Sequence, residues 1–187
     1  MRLSILILAN DPGSHFRSRK PKVLHPLAGL SMIRYTLDLA ARLGGTPIVV
    51  SAQEDEAAIE QALNGEFQSI TSAAKERVAL VLRRMLDELG DIPEQLLVLP
   101  ADMPLLRKET VGAFVERQVS GDVPITLLGD EDVICLGREA LRKYAEMDAQ
   151  SFDAWLERSI AEAQIMDLGD EQELMRIETR LDLSRAA

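Results

Sequence analysis

The chain has 187 residues, 47% of them hydrophobic and 28% charged, enough for one domain (1–187) with a core of its own. Its formal net charge of -10 excludes a general nucleic-acid binder, which presents a basic face. The lone cysteine, Cys135, excludes an internal disulfide and a cysteine-built metal centre, and with only 4% aromatics the core must be aliphatic.

Leu3 to Ala9 is a dense apolar run and predicts a strand buried on both faces. It is too short to span a membrane and has no leader pattern, so a cytoplasmic protein without membrane contact is expected. A polar loop, Asn10 to Lys20, leads into P-K-V-L-H-P-L-A-G, Pro21 to Gly29. Met32, Ile33, Thr36, Leu37, Ala40 and Leu43 form a helical stripe ended by Gly44-Gly45. Pro47 to Ser51 predicts a strand, Glu54 to Leu63 a helix, and Phe67 to Ile70 a short strand. Val78, Val81, Leu82, Met85 and Leu89 mark a helix closed by Gly90.

Leu96 to Leu99 predicts the next buried strand, running into Pro100-Ala101-Asp102-Met103-Pro104. Lys108 to Val119 predicts a helix, and Val123 to Leu128 and Val133 to Leu136 predict strands joined by a solvated turn at Gly129 to Asp132. Cys135 reads as a buried small hydrophobe. Arg138 to Met147 and Phe152 to Ala163 predict helices, Gln164 to Leu168 a strand, Leu174 to Ile177 a weaker strand, and Leu181 to Ala186 a short helix. Trp155 is expected in the core or on a self-association face, and His25 in a packing role. Alternating strands and helices imply an α/β fold, a mostly parallel sheet covered on both faces. Ligands in such sheets sit at the carboxyl ends of strands.

Two features fall at such ends. In the loop after Ala9, Gly13 and Ser14 can aim backbone N–H groups at phosphate oxygens. Lys22 can add a point charge, and His15, Arg17 and Arg19 further positive character. On charge alone, Arg17, Arg19, Lys20 and Lys22 read equally as a solvated basic loop. Pro12 has no N–H to give, and Asp11 puts a carboxylate where an anion would lie. After Leu99, Asp102 stands on a Pro-bracketed turn, where it can hold Mg²⁺ or serve as a turn or cap residue. Asp167 and Asp170 are further carboxylates near the last strand.

At these residues the chain resembles the sugar-phosphate nucleotidylyltransferases and the MobA-like NTP transferase group. It is most similar to the uridylyltransferase domain of the bifunctional N-acetylglucosamine-1-phosphate uridylyltransferases. Their signature, L-A-A-G-x-G-T-R-M and then P-K-V-L-H-P-L-A-G, matches without a gap at Leu8, Ala9, Gly13, Ser18 and Pro21 through Gly29. Val98 to Leu106 resembles the strand ending in G-D-x-P-L, whose Asp binds the metal. Arg176 to Leu183 resembles the closing G-V-N-x-R-x-x-L, whose Asn is the second ligand.

The resemblance implies a Rossmann-like nucleotide-diphospho-sugar transferase fold. It implies transfer of NMP from an NTP to a phosphorylated acceptor of the sugar 1-phosphate class, with release of pyrophosphate. Leu8, Ala9, Gly13, Ser14 and Lys22 would bind the nucleotide, Lys22 and His15 would act at the reacting phosphates, and Asp102 and Glu178 would hold Mg²⁺. Several positions depart from the pattern. Asn10 and Asp11 replace Ala-Gly, Ser14 replaces Thr, His15 stands at the loop arginine, Phe16 at Met, and Glu178 at the metal-binding Asn. Ser72 to Val78 contains neither the Gly-Thr pair nor the Gln used to read the base.

Two readings therefore stand side by side: a working nucleotidylyltransferase, and a non-catalytic descendant kept for nucleotide binding, regulation or a partner protein. A divergent enzyme of the guanylyltransferase-like branch, with base and acceptor open, is a third. A homo-oligomer or a partner protein fits any of them.

Overall fold

The computed structural model describes residues 2–65, 67–120, 124–129, 133–166 and 171–187. In chain order the elements are β1 (Leu3–Ala9), the two strands of a small hairpin, β2 (Pro26–Leu27) and β3 (Leu30–Ser31), then α1 (Met32–Arg42), β4 (Thr46–Ala52), α2 (Glu56–Leu63), β5 (Gln68–Ser72) and α3 (Val78–Leu89). There follow β6 (Gln95–Pro100), α4 (Lys108–Ser120), β7 (Ile125–Leu128), β8 (Val133–Gly137), α5 (Arg138–Glu146), α6 (Ala149–Ala161), β9 (Gln164–Met166) and α7 (Arg180–Ala186). Single 3-10 turns at Ser14–Phe16 and Lys22–Leu24 shape the loop after β1.

The described strands form a seven-stranded sheet in the order β5-β4-β1-β6-β8-β7-β9. Pairing is parallel throughout except along β8, which runs antiparallel to β6 and β7. A mostly parallel sheet was expected; the reversed strand follows from the short connection between β7 and β8, too short for a crossover.

Strand periodicity separates two cores. Leu3, Ile5, Ile7, Val49, Leu97 and Leu99 face the layer of α1, α2 and α4. Leu6, Ile48, Val50, Leu96 and Val98 face the layer of α3, α5 and α6. Because successive side chains alternate across the sheet, a strand covered on both faces has to be apolar at every position. Cys135 lies fully buried in the first layer, and burial raises its thiol pKa to about 12. Trp155 packs beside the second core, with its ring 5.4 Å from that of Phe152. No helix among the described residues is long and apolar enough to cross a membrane.

Leu174 to Ile177 forms no strand. Its main chain meets the loop after β6 where Ile177 N–H donates to the Asp102 carbonyl at 2.9 Å, and one such bond does not make a ladder. The expected strand Gln164 to Leu168 is present as β9 up to Met166. Residues 167–168, the first residue of the Val123 strand, residues 130–132 of the expected turn, and Asp167 and Asp170 lie outside the described residues. The β2–β3 hairpin has two residues per strand, too short for a periodicity signal.

Candidate active site

The connections from β1 to β4 and from β5 back to β6 leave in opposite directions, so the C-terminal ends of β1 and β6 bound the crevice where the strand order reverses. The crevice is held by main-chain bonds. Ala101 N–H donates to the Leu8 carbonyl at 2.9 Å, and Lys75 N–H to the Asn10 carbonyl at 2.9 Å. The Asn10 amide also donates to Ser72 Oγ at 3.1 Å. Between these loops lies a cavity of about 330 Å³, with Leu8, Asn10, Asp11, Lys75, Arg176 and Glu178 among its walls.

The loop after β1 closes over Lys22. Gly13 has φ +62°, and a Cβ built there would stand 2.5 Å from Lys22 Cβ, so both the backbone and the space require glycine. Beneath the loop, Phe16 is buried with Leu27, Met32 and Ile177. Its ring lies 5.0 Å from that of His25, which gives His25 the expected packing role. The side chain of Lys22 is 1% exposed. Its Nζ donates to Asp11 Oδ2 at 2.5 Å and to Asp102 Oδ2 at 2.6 Å.

Asp11 behaves as an internal anion. Its Oδ1 accepts the Gly13 N–H at 3.1 Å and lies 3.7 Å from Lys75 Nζ, while Oδ2 takes Lys22. Burial works to raise its pKa, but the hydrogen bonds from Lys22 and Gly13 and the charges of Lys22 and Lys75 hold it below the ordinary value. The carboxylate thus takes both the Lys22 ammonium and the Gly13 amide.

Asp102 is buried, and both its oxygens are bound by cations. Oδ1 accepts from Arg176 Nε at 3.2 Å, and Oδ2 from an Arg176 terminal nitrogen at 2.9 Å as well as from Lys22. The segment that delivers Arg176 is pinned on both sides. Buried Glu173 accepts from Arg107 N at 2.8 Å and from Arg107 Nε at 3.1 Å, and Ile177 is bound to the Asp102 carbonyl. Thr179 and Asp182 then close a reciprocal cap on α7.

Lys22 and Asp102, expected at one cleft, are in direct ion contact. Leu8, Asp11 and Glu178 line the cavity, whereas Lys22, Asp102 and Gly13 lie behind its wall, in contact with Asp11 and Arg176. Ala9 is buried in the first core and does not line it. Ser14 and His15 are exposed on their 3-10 turn, as are Arg17, Arg19 and Lys20, and none of these lines the cavity. His15 stands off because Phe16, the next residue, turns inward as the loop's anchor.

The Asp102 and Glu178 pair does not fit Mg²⁺ as arranged, because Asp102 has no oxygen that is not already engaged by Lys22 or Arg176. Among the described residues no three His, Cys, Asp or Glu side chains group to hold a metal. Arg176 and Lys75 were missed from the sequence as site residues. Arg176 sits two positions before Glu178 in the closing segment, a proximity that is a usable signal.

The sheet with its crevice at the reversal of strand order defines an open α/β architecture, mostly parallel, with helices on both faces. Over residues 5–164 the chain matches the family described as the MobA-like NTP transferase domain, and it belongs to that family. It is 37% identical over 118 residues to the bifunctional protein GlmU of Chromohalobacter salexigens, covering 63% of this chain and 26% of that protein. The chain therefore spans about a quarter of that relative's length. A nucleotidyl transferase from Methanothermobacter thermautotroptrophicus superposes with a TM-score of 0.72 at 18% identity, covering 98% of this chain and 95% of that one. Molybdopterin-guanine dinucleotide biosynthesis protein A from Archaeoglobus fulgidus gives 0.70 at 15% identity, covering 98% and 96%. At these identities the two structures speak for the Rossmann-like fold alone.

Proposed function

We propose that this chain transfers a nucleoside monophosphate from an NTP to a phosphorylated acceptor of the sugar 1-phosphate class. The observation that carries the proposal is a buried ammonium, Lys22, at the C-terminal rim of β1 and β6, beside a cavity of about 330 Å³. A buried lysine is expensive unless paired, and Lys22 is paired with Asp11 and Asp102, so its charge serves an incoming phosphate in the low-dielectric cleft once Asp11 gives way.

In this reaction an acceptor phosphate oxygen attacks the α-phosphorus. The bond from that phosphorus to the oxygen bridging to the β-phosphate breaks, and pyrophosphate leaves with the electron pair. Lys22 would turn from Asp11 to the charge that grows on the leaving oxygens, and the Gly13 N–H would follow it. Lys75, on the opposite wall of the loop, would draw Asp11 aside. Positioning and charge neutralisation are the protein's part.

The same Asp11 contacts favour a second reading, a nucleotide-binding domain without turnover, because the loop's donors are already engaged. One assay separates the two. The protein is mixed with each common NTP and a panel of sugar 1-phosphates, and pyrophosphate release is followed. Release with any pair supports the transferase. Nucleotide binding without release supports the second reading, and no binding removes both.

A further inference from the structure

In the closing segment, Arg176 places a guanidinium on the carboxylate from which a divalent ion would be expected to hang. We propose that Arg176 supplies, inside the cleft, the positive charge that such an ion would bring, so that this chain takes a nucleoside triphosphate without a divalent metal. The inference rests on the nucleotide reading given under Proposed function.

Three observations carry it. The first is the occupied carboxylate: Arg176 forks onto both oxygens of Asp102, at 3.2 and 2.9 Å, while Lys22 holds Oδ2 at 2.6 Å. A metal ion on Asp102 would have to displace that fork and share an oxygen with an ammonium, a like-charge contact in a buried place. The second is exposure. The Arg176 side chain is 32% exposed and lines the cavity with Asp11, Lys75 and Glu178, so the guanidinium meets whatever enters.

The third is the rigid mount. On one side Glu173 is clamped by three hydrogen bonds from Arg107, at 2.8, 3.1 and 2.8 Å. On the other, Ile177 is buried in the cluster under the phosphate loop and donates to the Asp102 carbonyl. A guanidinium does not lose its proton in a protein, and its planar fork suits phosphate as well as carboxylate. Held this way, it is a permanent cation at a fixed position, which is the electrostatic part of what a metal contributes.

The inference is tested on the full chain by calorimetric titration with UTP, CTP, GTP and ATP in turn, once in EDTA and once in excess Mg²⁺. In parallel, Mn²⁺ is titrated into nucleotide-free protein and followed by its paramagnetic resonance signal. Both are repeated on Arg176→Gln. At least one triphosphate should bind the wild type in EDTA within about threefold of its affinity in Mg²⁺, and Mn²⁺ should stay free. Arg176→Gln should lose about tenfold or more in EDTA, regain affinity with Mg²⁺, and take up Mn²⁺.

Binding by the wild type only with Mg²⁺, or uptake of Mn²⁺ by the wild type, overturns the inference and leaves the nucleotide reading standing. Undiminished binding by Arg176→Gln in EDTA also overturns it. Binding in neither buffer overturns both. Should the variant not fold, the wild-type comparison between the two buffers still decides.

Discussion

Lys22 Nζ and Asp11 Oδ2 are 2.5 Å apart, so the buried cation at the crevice already holds a carboxylate from its own loop. Under the proposed function, a triphosphate would reach Lys22 by exchanging with Asp11. The strength of its binding would then be a difference between two anions competing for one ammonium and one amide, Gly13 N–H.

Removing the inner anion should tighten binding. Asp11→Asn and Asp11→Gly are expected to raise triphosphate affinity by about tenfold or more, since a like charge facing an incoming anion costs several kcal/mol at contact. Calorimetry with UTP checks this. Lower affinity in both variants would mean that Asp11 organises the loop for its ligand and does not compete with it.

Lys22→Met keeps the volume of the side chain and deletes its charge. Pyrophosphate release should vanish. Stability should fall by about 3 kcal/mol, the low end for breaking a buried ion pair, because Asp102 keeps Arg176. Urea titration together with the release assay reads both effects.

Gly13→Ala meets two obstacles, a φ of +62° and a Cβ 2.5 Å from Lys22 Cβ. The left-handed backbone alone costs an alanine about 1 kcal/mol, and the overlap adds a shift of Lys22. Thermal melting should show the loss, and nucleotide affinity should drop further than the stability change implies.

Glu173 gives the fold an acid-side dependence. Burial pushes its carboxyl up, but the hydrogen bonds from Arg107 and Thr110 and the Arg107 charge outweigh burial and hold it below the ordinary 4.5. With the folded value below the unfolded one, the stabilisation is complete above about pH 4.5 and fades as pH falls through the folded value. Wild type should melt above Glu173→Gln at neutral pH, and the gap should narrow as the pH is lowered below the ordinary carboxylate range. A gap that does not change over that range would show that Glu173 acts through shape alone.

Most of the fold was legible because its strands are buried on both sides. Runs such as Leu3 to Ala9 and Leu96 to Leu99 have no polar residue where a helix layer covers each face, apart from Ser4. Leu174 to Ile177 is apolar too except at Arg176, yet among the described residues its main chain pairs with no strand; it packs against the loop after β6 instead, which only tertiary packing sets. At the site, the meeting of Lys22 with Asp102 followed from their positions after β1 and β6. The carboxylate of Asp11 in the place of an anion was legible too. The parts of Lys75 and Arg176 were not, because which carboxylate a charged side chain chooses depends on distances between loops far apart in the chain. His15 and Phe16 show the limit in miniature: adjacent in sequence, one faces solvent and the other is sealed inside.

The small cluster of Phe16, Leu27, Met32 and Ile177 joins the start of the chain to its closing segment. During synthesis, β1 and the loop after it leave the ribosome long before Ile177 and Arg176 exist. The parallel core from β1 to β6 can collapse in that interval, but Lys22 must wait with one flank of its pocket missing. Ligand competence should consequently arrive as a late, separate event in the life of each molecule.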